Sequence, residues 1–464
     1  MRINDLEKKF DTSKLRYDDF NPWPLIKLKL IKKSNFEQKS KNFNYKNEVK
    51  KESNLKKIIS FFKSFFHYLR NPIQNDKVDI LYFIKSYQTR KNSNNNYFNE
   101  FSDPMVYFVG RELNIKVLEL NDMKLFENRR YEYPNTASID FVKYLSLIRI
   151  KIKTIFGISK KPTNIGLLKN ELNVSSLEKE LITLNEFSKT FEKILKKNRP
   201  KIVYLVCFYD MYSMAMSLAC HRLNIKVIEY QHGFLNDYYS MYTKWSNVPS
   251  SGYELIPDIF WVWDNETKNK IDEWANSTSK HSAIAGGNMW LSYYKKTNPL
   301  INLRKNNKKK NILVVLQFSP LPEFFMNYLK KNKGKFNWYF RKHPLHPVPN
   351  NIKNTLENFS IESIDTTSEK SLYETFSFID AIITLYSSVG FEAQCYKIPS
   401  IFMGENAKYG FKKLLGKNGL YFAENESDLD NYFNSLESLS QIDKFYIEFD
   451  EDKIKKEIKR IFNT

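Results

Sequence analysis

From residue 78 onward, short apolar runs alternate with stretches whose apolar positions recur at helical spacing. Strand-like runs fall at 79–85, 115–120, 201–207, 225–230, 258–263 and 282–285. Helix-like segments lie between them, at about 104–112, 136–156, 178–197 and 210–222. Parallel strands need crossover connections, so this alternation predicts helices covering a parallel, doubly wound sheet. The rhythm breaks at 294–311, a polar stretch with Pro299 and the run Lys308-Lys309-Lys310. A second series then opens with Ile312-Leu-Val-Val-Leu-Gln317 and continues at 336–341, 361–364, 380–385, 399–402 and 420–422. The expected fold class is α/β: two Rossmann-like doubly wound domains facing a central cleft, with ligand at the carboxyl ends of the strands. The boundaries read as a basic N-terminal extension over 1–77, a first domain over 78–295, a linker over 296–310, a second domain over 311–450 and a C-terminal helix over 451–464.

Within the N-terminal extension, a Lys/Asn-rich run at 36–57 leads into a different pattern. Leu55, Ile58, Ile59, Phe62, Phe65, Phe66 and Leu69 recur at helical spacing, interleaved with Lys56, Lys57, Lys63 and Arg70. This is an amphipathic helix with a cationic face. Two outcomes fit the pattern: packing on the protein's own core, or lying on anionic lipid. Tyr144–Phe156, with Arg149, Lys151 and Lys153, is a weaker candidate of the same kind.

Composition narrows the function classes. At 464 residues, with 42% hydrophobic and 16% aromatic residues, the chain can bury two cores and is not globally disordered. The formal charge of +21 favours polyanionic partners: nucleic acid, an anionic bilayer face or phosphorylated substrates. Cys207, Cys220 and Cys395 have no metal-ligand spacing and read as buried thiols in a reducing compartment. The first residues lack the apolar core of a signal peptide, and no stretch approaches the roughly 20 apolar residues of a membrane span. A soluble or peripheral protein on the cytoplasmic side is expected. Neither a Gly-x-Gly-x-x-Gly nor a P-loop pattern occurs, against a dinucleotide dehydrogenase or a P-loop NTPase.

Three blocks carry candidate chemistry. In the first, Lys201–Asp210 is followed by a helix and then Ile225-Lys-Val-Ile-Glu-Tyr-Gln-His-Gly233. His232 falls at a strand's carboxyl end, where a near-neutral pKa suits it to take a proton from a hydroxyl, and Gly233 lets backbone approach substrate closely. The second block is Arg341-Lys342-His343-Pro344, where Pro344 stops the strand and two cations flank His343. These groups suit phosphate oxygens. His346-Pro347 repeats the dipeptide, and His343 is favoured because it lies nearer the strand. The third block runs from Asp380 to Ala393, where Ser387 and Ser388 open a helix containing Glu392. Helix N-termini and serine hydroxyls bind phosphate, and Glu392, one turn beyond Ser388, reaches toward a ribose. Each block also has a plain structural reading: a turn histidine, a solvated basic turn, a serine N-cap. Asp428-Leu-Asp430 has the form used by metal-dependent transferases, but its place before a helix reads as capping, and no metal or other cofactor is expected.

As an ordered set, these blocks resemble the GT-B glycosyltransferases of bacterial capsule and O-antigen synthesis, over about 78–440. The matching pieces are Lys201 through Tyr209, Ile225–Gly233, Pro257-Asp258, Gly286-Gly287-Asn288, His343-Pro344, and Ser387-Ser388 with Glu392-Ala393. The His-Pro and Ser-Ser pair is also similar to the donor site of bacterial sialyl- and Kdo-transferases that use CMP-sugars. It is similar, too, to teichoic-acid polymerases that use CDP-glycerol, although Leu385 stands where the polymerase pattern has Asp before Tyr386-Ser387-Ser388. The resemblance implies an acceptor domain followed by a donor domain, with a CMP-, UDP-, GDP- or CDP-linked donor. His343, Ser387 and Ser388 would hold the donor phosphate, with Glu392 near its ribose; Arg341 and Lys342 join them on the chemistry of their side chains. Gln231 and Gly233 would line the substrate, and His232 would deprotonate a saccharide or lipid-linked acceptor, with Asp210 or Glu229 orienting it or serving as base. Inversion at the anomeric carbon is expected. A nucleotide-sugar epimerase of the same fold is the alternative. A basic nucleic-acid-binding protein is disfavoured, because the lysines are scattered among asparagines without a recognised binding pattern.

Overall fold

The computed structural model describes residues 7, 10–42, 54–86, 89–91, 95–121, 129–133, 135–158, 161–164, 173–235, 239–297, 309–317, 319–343, 348, 352, 354 and 371–463. Pro344, His346, Pro347 and the expected strand at 361–364 lie outside them, as do most of the expected linker and part of the Lys/Asn-rich run.

The chain forms two compact units. The first comprises residues 1–232, 239–286 and 452–464; the second comprises 233–238 and 287–451. Seven parallel strands build the first unit's main sheet: β1 (Ile80–Lys85), β4 (Ile115–Leu120), β5 (Thr136–Ser138), β6 (Ile202–Val206), β7 (Lys226–Tyr230), β8 (Ile259–Val262) and β9 (Ser282–Ala285). Between β1 and β4, the strands β2 (Thr89–Lys91) and β3 (Tyr97–Asn99) form a separate antiparallel ribbon. The sheet order is β5-β4-β1-β6-β7-β8-β9. The chain therefore starts in the middle, winds outward to β5, and returns to wind the other way from β6. That reversal opens a crevice beyond the carboxyl ends of β1 and β6. The central strands are buried along their whole length, as the continuous apolar runs require of a sheet covered on both faces.

The second unit repeats the plan with β10 (Asn311–Val315), β11 (Asn337–Arg341), β12 (Ala381–Thr384), β13 (Ser400–Phe402) and β14 (Leu420–Phe422), in the order β11-β10-β12-β13-β14. All its pairings are parallel. Here the winding reverses between β10 and β12. Trp338, Phe340, Phe325, Phe336 and Phe433 fill the core on one face of this sheet.

Two segments differ from the sequence expectation. The stretch 136–156 is not helical throughout: Thr136–Ser138 pairs with β4 as an edge strand, and the helix starts at Asp140. Ser138 and Asp140 hydrogen-bond each other through their side chains, which favours a break there over a longer helix. The N-terminal stretch is integrated into the first unit. Lys27 is fully buried, its ammonium 2.8 Å from Glu7 and 3.8 Å from the Trp245 ring centre. The helix Glu451–Asn463 also returns to that unit, burying Ile454, Ile458 and Ile461 and setting Phe462 under the Lys201 ammonium at 4.3 Å.

Candidate functional site

In the first unit, the candidate residues gather where β1, β6 and β7 end. Lys85 closes β1 and is almost wholly buried, and its ammonium pairs with Asp210. Asp210 is the N-cap of the helix Met211–Arg222. Its Oδ1 accepts the Tyr212 and Ser213 backbone N–H groups at 2.9 and 3.1 Å, and its Oδ2 accepts the Ser213 hydroxyl at 2.7 Å. Both oxygens are engaged, so Asp210 caps the helix and supplies the countercharge of Lys85. Between β6 and this cap, Cys207 holds a left-handed backbone at φ 60°, a costly conformation for a side chain with Cβ and one that tends to sit at functional turns. Cys207 is less buried as a residue than Cys220 and Cys395, but its thiol points inward, and desolvation pushes it up to about 12.

Glu229, on β7, is fully buried. Its Oε1 accepts the Tyr242 hydroxyl at 2.5 Å, while Oε2 is buried with no hydrogen-bond partner among the described residues. A buried carboxylate oxygen left unsatisfied is costly and calls for a functional explanation. On its other side, 3.9 Å from Oε1, stands the Nδ1 of His232, itself buried and without a hydrogen-bond partner among the described residues. The other ring nitrogen, Nε2, stands 3.3 Å from the Tyr209 hydroxyl. Burial holds the Tyr209 and Tyr242 phenols well above the usual tyrosine range, so both stay neutral hydrogen-bonding groups. An imidazole backed by a carboxylate and fronted by a phenol can accept a proton and keep the resulting charge compensated.

Gln231 has a different part. Its side chain is wholly buried, and its Oε1 accepts the Trp263 N–H at 2.8 Å, extending the β7–β8 pairing past the strand end. That bond orients the strand end. Other pieces of the motif set also serve the fold. Asp258 accepts the Val227 N–H at 2.8 Å, Asn288 caps the turn at Leu291, and Gly286 lies against the face of Trp261.

In the second unit, the strand ends carry the remaining candidates. Gln317, just past β10, accepts the Tyr386 N–H at 2.8 Å and the Thr384 hydroxyl at 3.3 Å, bridging the point where the strand order reverses. Ser387 and Ser388 follow, and the helix Val389–Gln394 begins. Ser388 makes no side-chain cap, and Ser387 Oγ accepts the Val389 N–H at 3.3 Å. The helix is only six residues long, so its dipole is small and the serine hydroxyls matter more than the helix end. Glu392, half-buried, accepts the Tyr373 hydroxyl at 2.5 Å and is not a freely solvated helix residue. Arg341 is buried at the end of β11, Lys342 is exposed and His343 half-buried.

Gly233, the residue after His232, belongs to this second unit. A Cβ at Gly233 would lie 3.7 Å from Ser388 Oγ, and Phe234 stacks on Phe391 with ring centres 3.7 Å apart. Thus the last residue of the Gln-His-Gly motif packs beside the Ser-Ser motif, although the two are far apart in sequence. Among the described residues, no group of three or more His, Cys, Asp or Glu side chains could hold a metal ion. Asp428 accepts the Glu424 N–H at 2.8 Å, and Asp430 accepts the Tyr328 hydroxyl at 3.0 Å.

No protein-family model matches the sequence. No curated protein matches it either. Solved structures do match in shape. A Listeria monocytogenes protein classed as a UDP-N-acetylglucosamine 2-epimerase aligns over 83% of this chain and 97% of its own, at 13% identity and TM-score 0.51. Another UDP-N-acetylglucosamine 2-epimerase aligns over 83% and 95%, at 14% identity and TM-score 0.50. The wall teichoic acid polymerase TagF aligns over 88% and 94%, at 12% identity and TM-score 0.45, too loose to carry more. At these identities the likeness is one of fold: two parallel-sheet α/β units of the GT-B type.

Proposed function

We propose that this protein is a glycosyltransferase that moves a sugar from a nucleotide-activated donor to a growing, lipid-linked surface polysaccharide such as capsule or O-antigen. The observation that carries the reading is the Glu229–His232 pair, a buried carboxylate oxygen facing a buried ring nitrogen at 3.9 Å with no other partner for that nitrogen among the described residues. In the proposed reaction, His232 takes the proton of the acceptor hydroxyl as that oxygen bonds to the anomeric carbon. Glu229 compensates the imidazolium. The bond from the anomeric carbon to the leaving phosphate breaks with inversion. Charge developing on that phosphate is met by Arg341, Lys342, His343 and the Ser387 and Ser388 hydroxyls, with Glu392 at the ribose. Gly233 supports the same assignment, since it is bonded to His232 and packs beside Ser388.

An epimerase reading has one observation in its favour, the fold likeness to the UDP-N-acetylglucosamine 2-epimerases. The two readings part on the need for an acceptor. Labelled UDP-, CMP-, GDP- and CDP-sugars are incubated with the enzyme, with and without an extract of lipid-linked saccharide. Glycosyl transfer predicts label in the lipid fraction only when acceptor is present. A donor converted to its epimer in the absence of acceptor would overturn the transferase assignment.

A further inference from the structure

Two helices of the first unit are packed the wrong way round for a surface that faces water. The helix Asn54–Arg70 turns Ser60 and Ser64 inward, whereas Leu55, Ile58, Ile59, Phe62, Phe66 and Leu69 are between 45% and 66% exposed. The expected face was thus only partly right, because Phe65 turns inward against Phe141, with ring centres 5.2 Å apart. Phe61 meets Tyr144 at 5.9 Å, and the Tyr144 hydroxyl donates to Ser60 Oγ at 2.9 Å. The helix is therefore seated with its small polar side against a neighbour. That neighbour, Asp140–Ile155, repeats the arrangement. Ser146 is buried, 2.8 Å from the Thr190 hydroxyl, while Ile148, Ile152, Ile155 and the following Phe156 are 48% to 73% exposed. Single exposed aliphatics are ordinary; two adjoining helices that bury serines and present isoleucine and phenylalanine are not.

We infer that this two-helix face is a membrane-binding platform that lies in the interface of an anionic bilayer. Charge selects the occupant. Lys57, Lys63, Arg70 and Lys151 are exposed on the same helices as the apolar side chains. A second copy docked symmetrically on this face would set one cationic patch against another. Anionic headgroups neutralise them while the acyl region takes the phenylalanines and isoleucines. At 17 residues the helix Asn54–Arg70 is about 25 Å long, enough to lie along the membrane plane. Among the described residues, no helix is long and apolar enough to cross a membrane. The platform follows from the exposed apolar and cationic side chains of these helices and is independent of the reaction the chain performs.

Flotation of the full chain with lipid vesicles tests it. The vesicles are phosphatidylcholine alone, or phosphatidylcholine mixed with phosphatidylglycerol. The chain should float with the mixed vesicles. The double variant Phe62→Asp/Phe66→Asp should lose at least about tenfold in vesicle affinity, since each ring removed from lipid forfeits most of its transfer energy. Lys57→Ser/Lys63→Ser should lose less and only on the mixed vesicles. All these side chains are exposed, so circular dichroism and the melting midpoint should match the parent. Equal flotation of the parent and the Phe62→Asp/Phe66→Asp variant, equal binding to both vesicle types, or no binding to either would overturn the platform. So would a parent dimer, seen by light scattering, that this double variant converts to monomer.

Discussion

Lys85 and Asp210 meet at the carboxyl ends of β1 and β6, the two strands between which the first sheet reverses its winding. The pair does two jobs at once. It neutralises a nearly buried ammonium, and it fixes the carboxylate that caps the helix Met211–Arg222. Lys85→Met should cost roughly 2 kcal/mol, below the range for a fully buried pair because Asp210 is partly solvated. Asp210→Asn should cost a similar amount by leaving Lys85 without its countercharge. A double-mutant cycle read by urea unfolding should be non-additive, the double variant being more stable than the sum of the singles predicts. Additive losses would mean that the two residues act separately.

The Glu229 site makes a kinetic prediction. His232→Ala should lower kcat by about 10²- to 10⁴-fold and leave the KM for donor nearly unchanged, as expected for a proton acceptor used only in the transition state. Tyr242→Phe removes the hydroxyl that Glu229 Oε1 accepts. It should destabilise the fold by about 1–3 kcal/mol, because the carboxylate stays buried. Transfer assays with saturating donor check both. A His232→Ala enzyme with the parental kcat would remove histidine from the proton transfer.

The alternation of apolar runs and helical segments carried the architecture, because strands buried on both faces must be continuous in apolar residues. It carried less of the site. His232, Glu229 and Ser388 were visible since each stands where a strand ends. Lys85 and Gln317 also end their runs, but the significance of a strand end depends on which strands become neighbours, and sheet order is a long-range property. Tyr242 and Tyr373, which hold Glu229 and Glu392, gave no local signal in a chain with 29 tyrosines. Gln231 shows the same limit: alternation along an extended strand end turns successive side chains opposite ways, and its buried side chain accepts a backbone N–H, a long-range contact with no local signal.

His281 gives the fold a pH dependence. It is buried, its Nε2 accepts the Tyr253 N–H at 2.9 Å, and its Nδ1 faces the Pro257 carbonyl at 2.7 Å, which assigns a neutral ring protonated on Nδ1. Burial pushes its pKa down to about 3, below the roughly 6.5 of an unfolded histidine. The native state thus resists a proton that the unfolded chain accepts. The resulting stability is fully present above about pH 6.5 and is lost as pH falls toward 3, by roughly 1.4 kcal/mol per pH unit from this group. Histidine NMR should find His281 neutral at pH 5, and urea midpoints should fall between pH 6.5 and 4. A His281 resonance titrating near 6.5 would contradict this.

Two glycines separate fold from function. A Cβ at Gly286 would sit 2.1 Å from Trp261 Cε2, deep in the first unit, where the indole is fully buried and has nowhere to go. Gly286→Ala should therefore destabilise by about 3 kcal/mol or more through overpacking. A Cβ at Gly233 meets Ser388 Oγ at an ordinary 3.7 Å. Gly233→Ala should leave stability within about 0.5 kcal/mol of the parent, because the added methyl fits and restricts the unfolded chain. If Ser388 holds the donor phosphate, that methyl narrows the space beside the serine hydroxyl, and the KM for donor should rise by about tenfold, the equivalent of one lost hydrogen bond. Thermal melts and donor titrations on both variants make the comparison. A Gly233→Ala enzyme with parental donor affinity would detach the Gln-His-Gly turn from the donor site, whatever its stability.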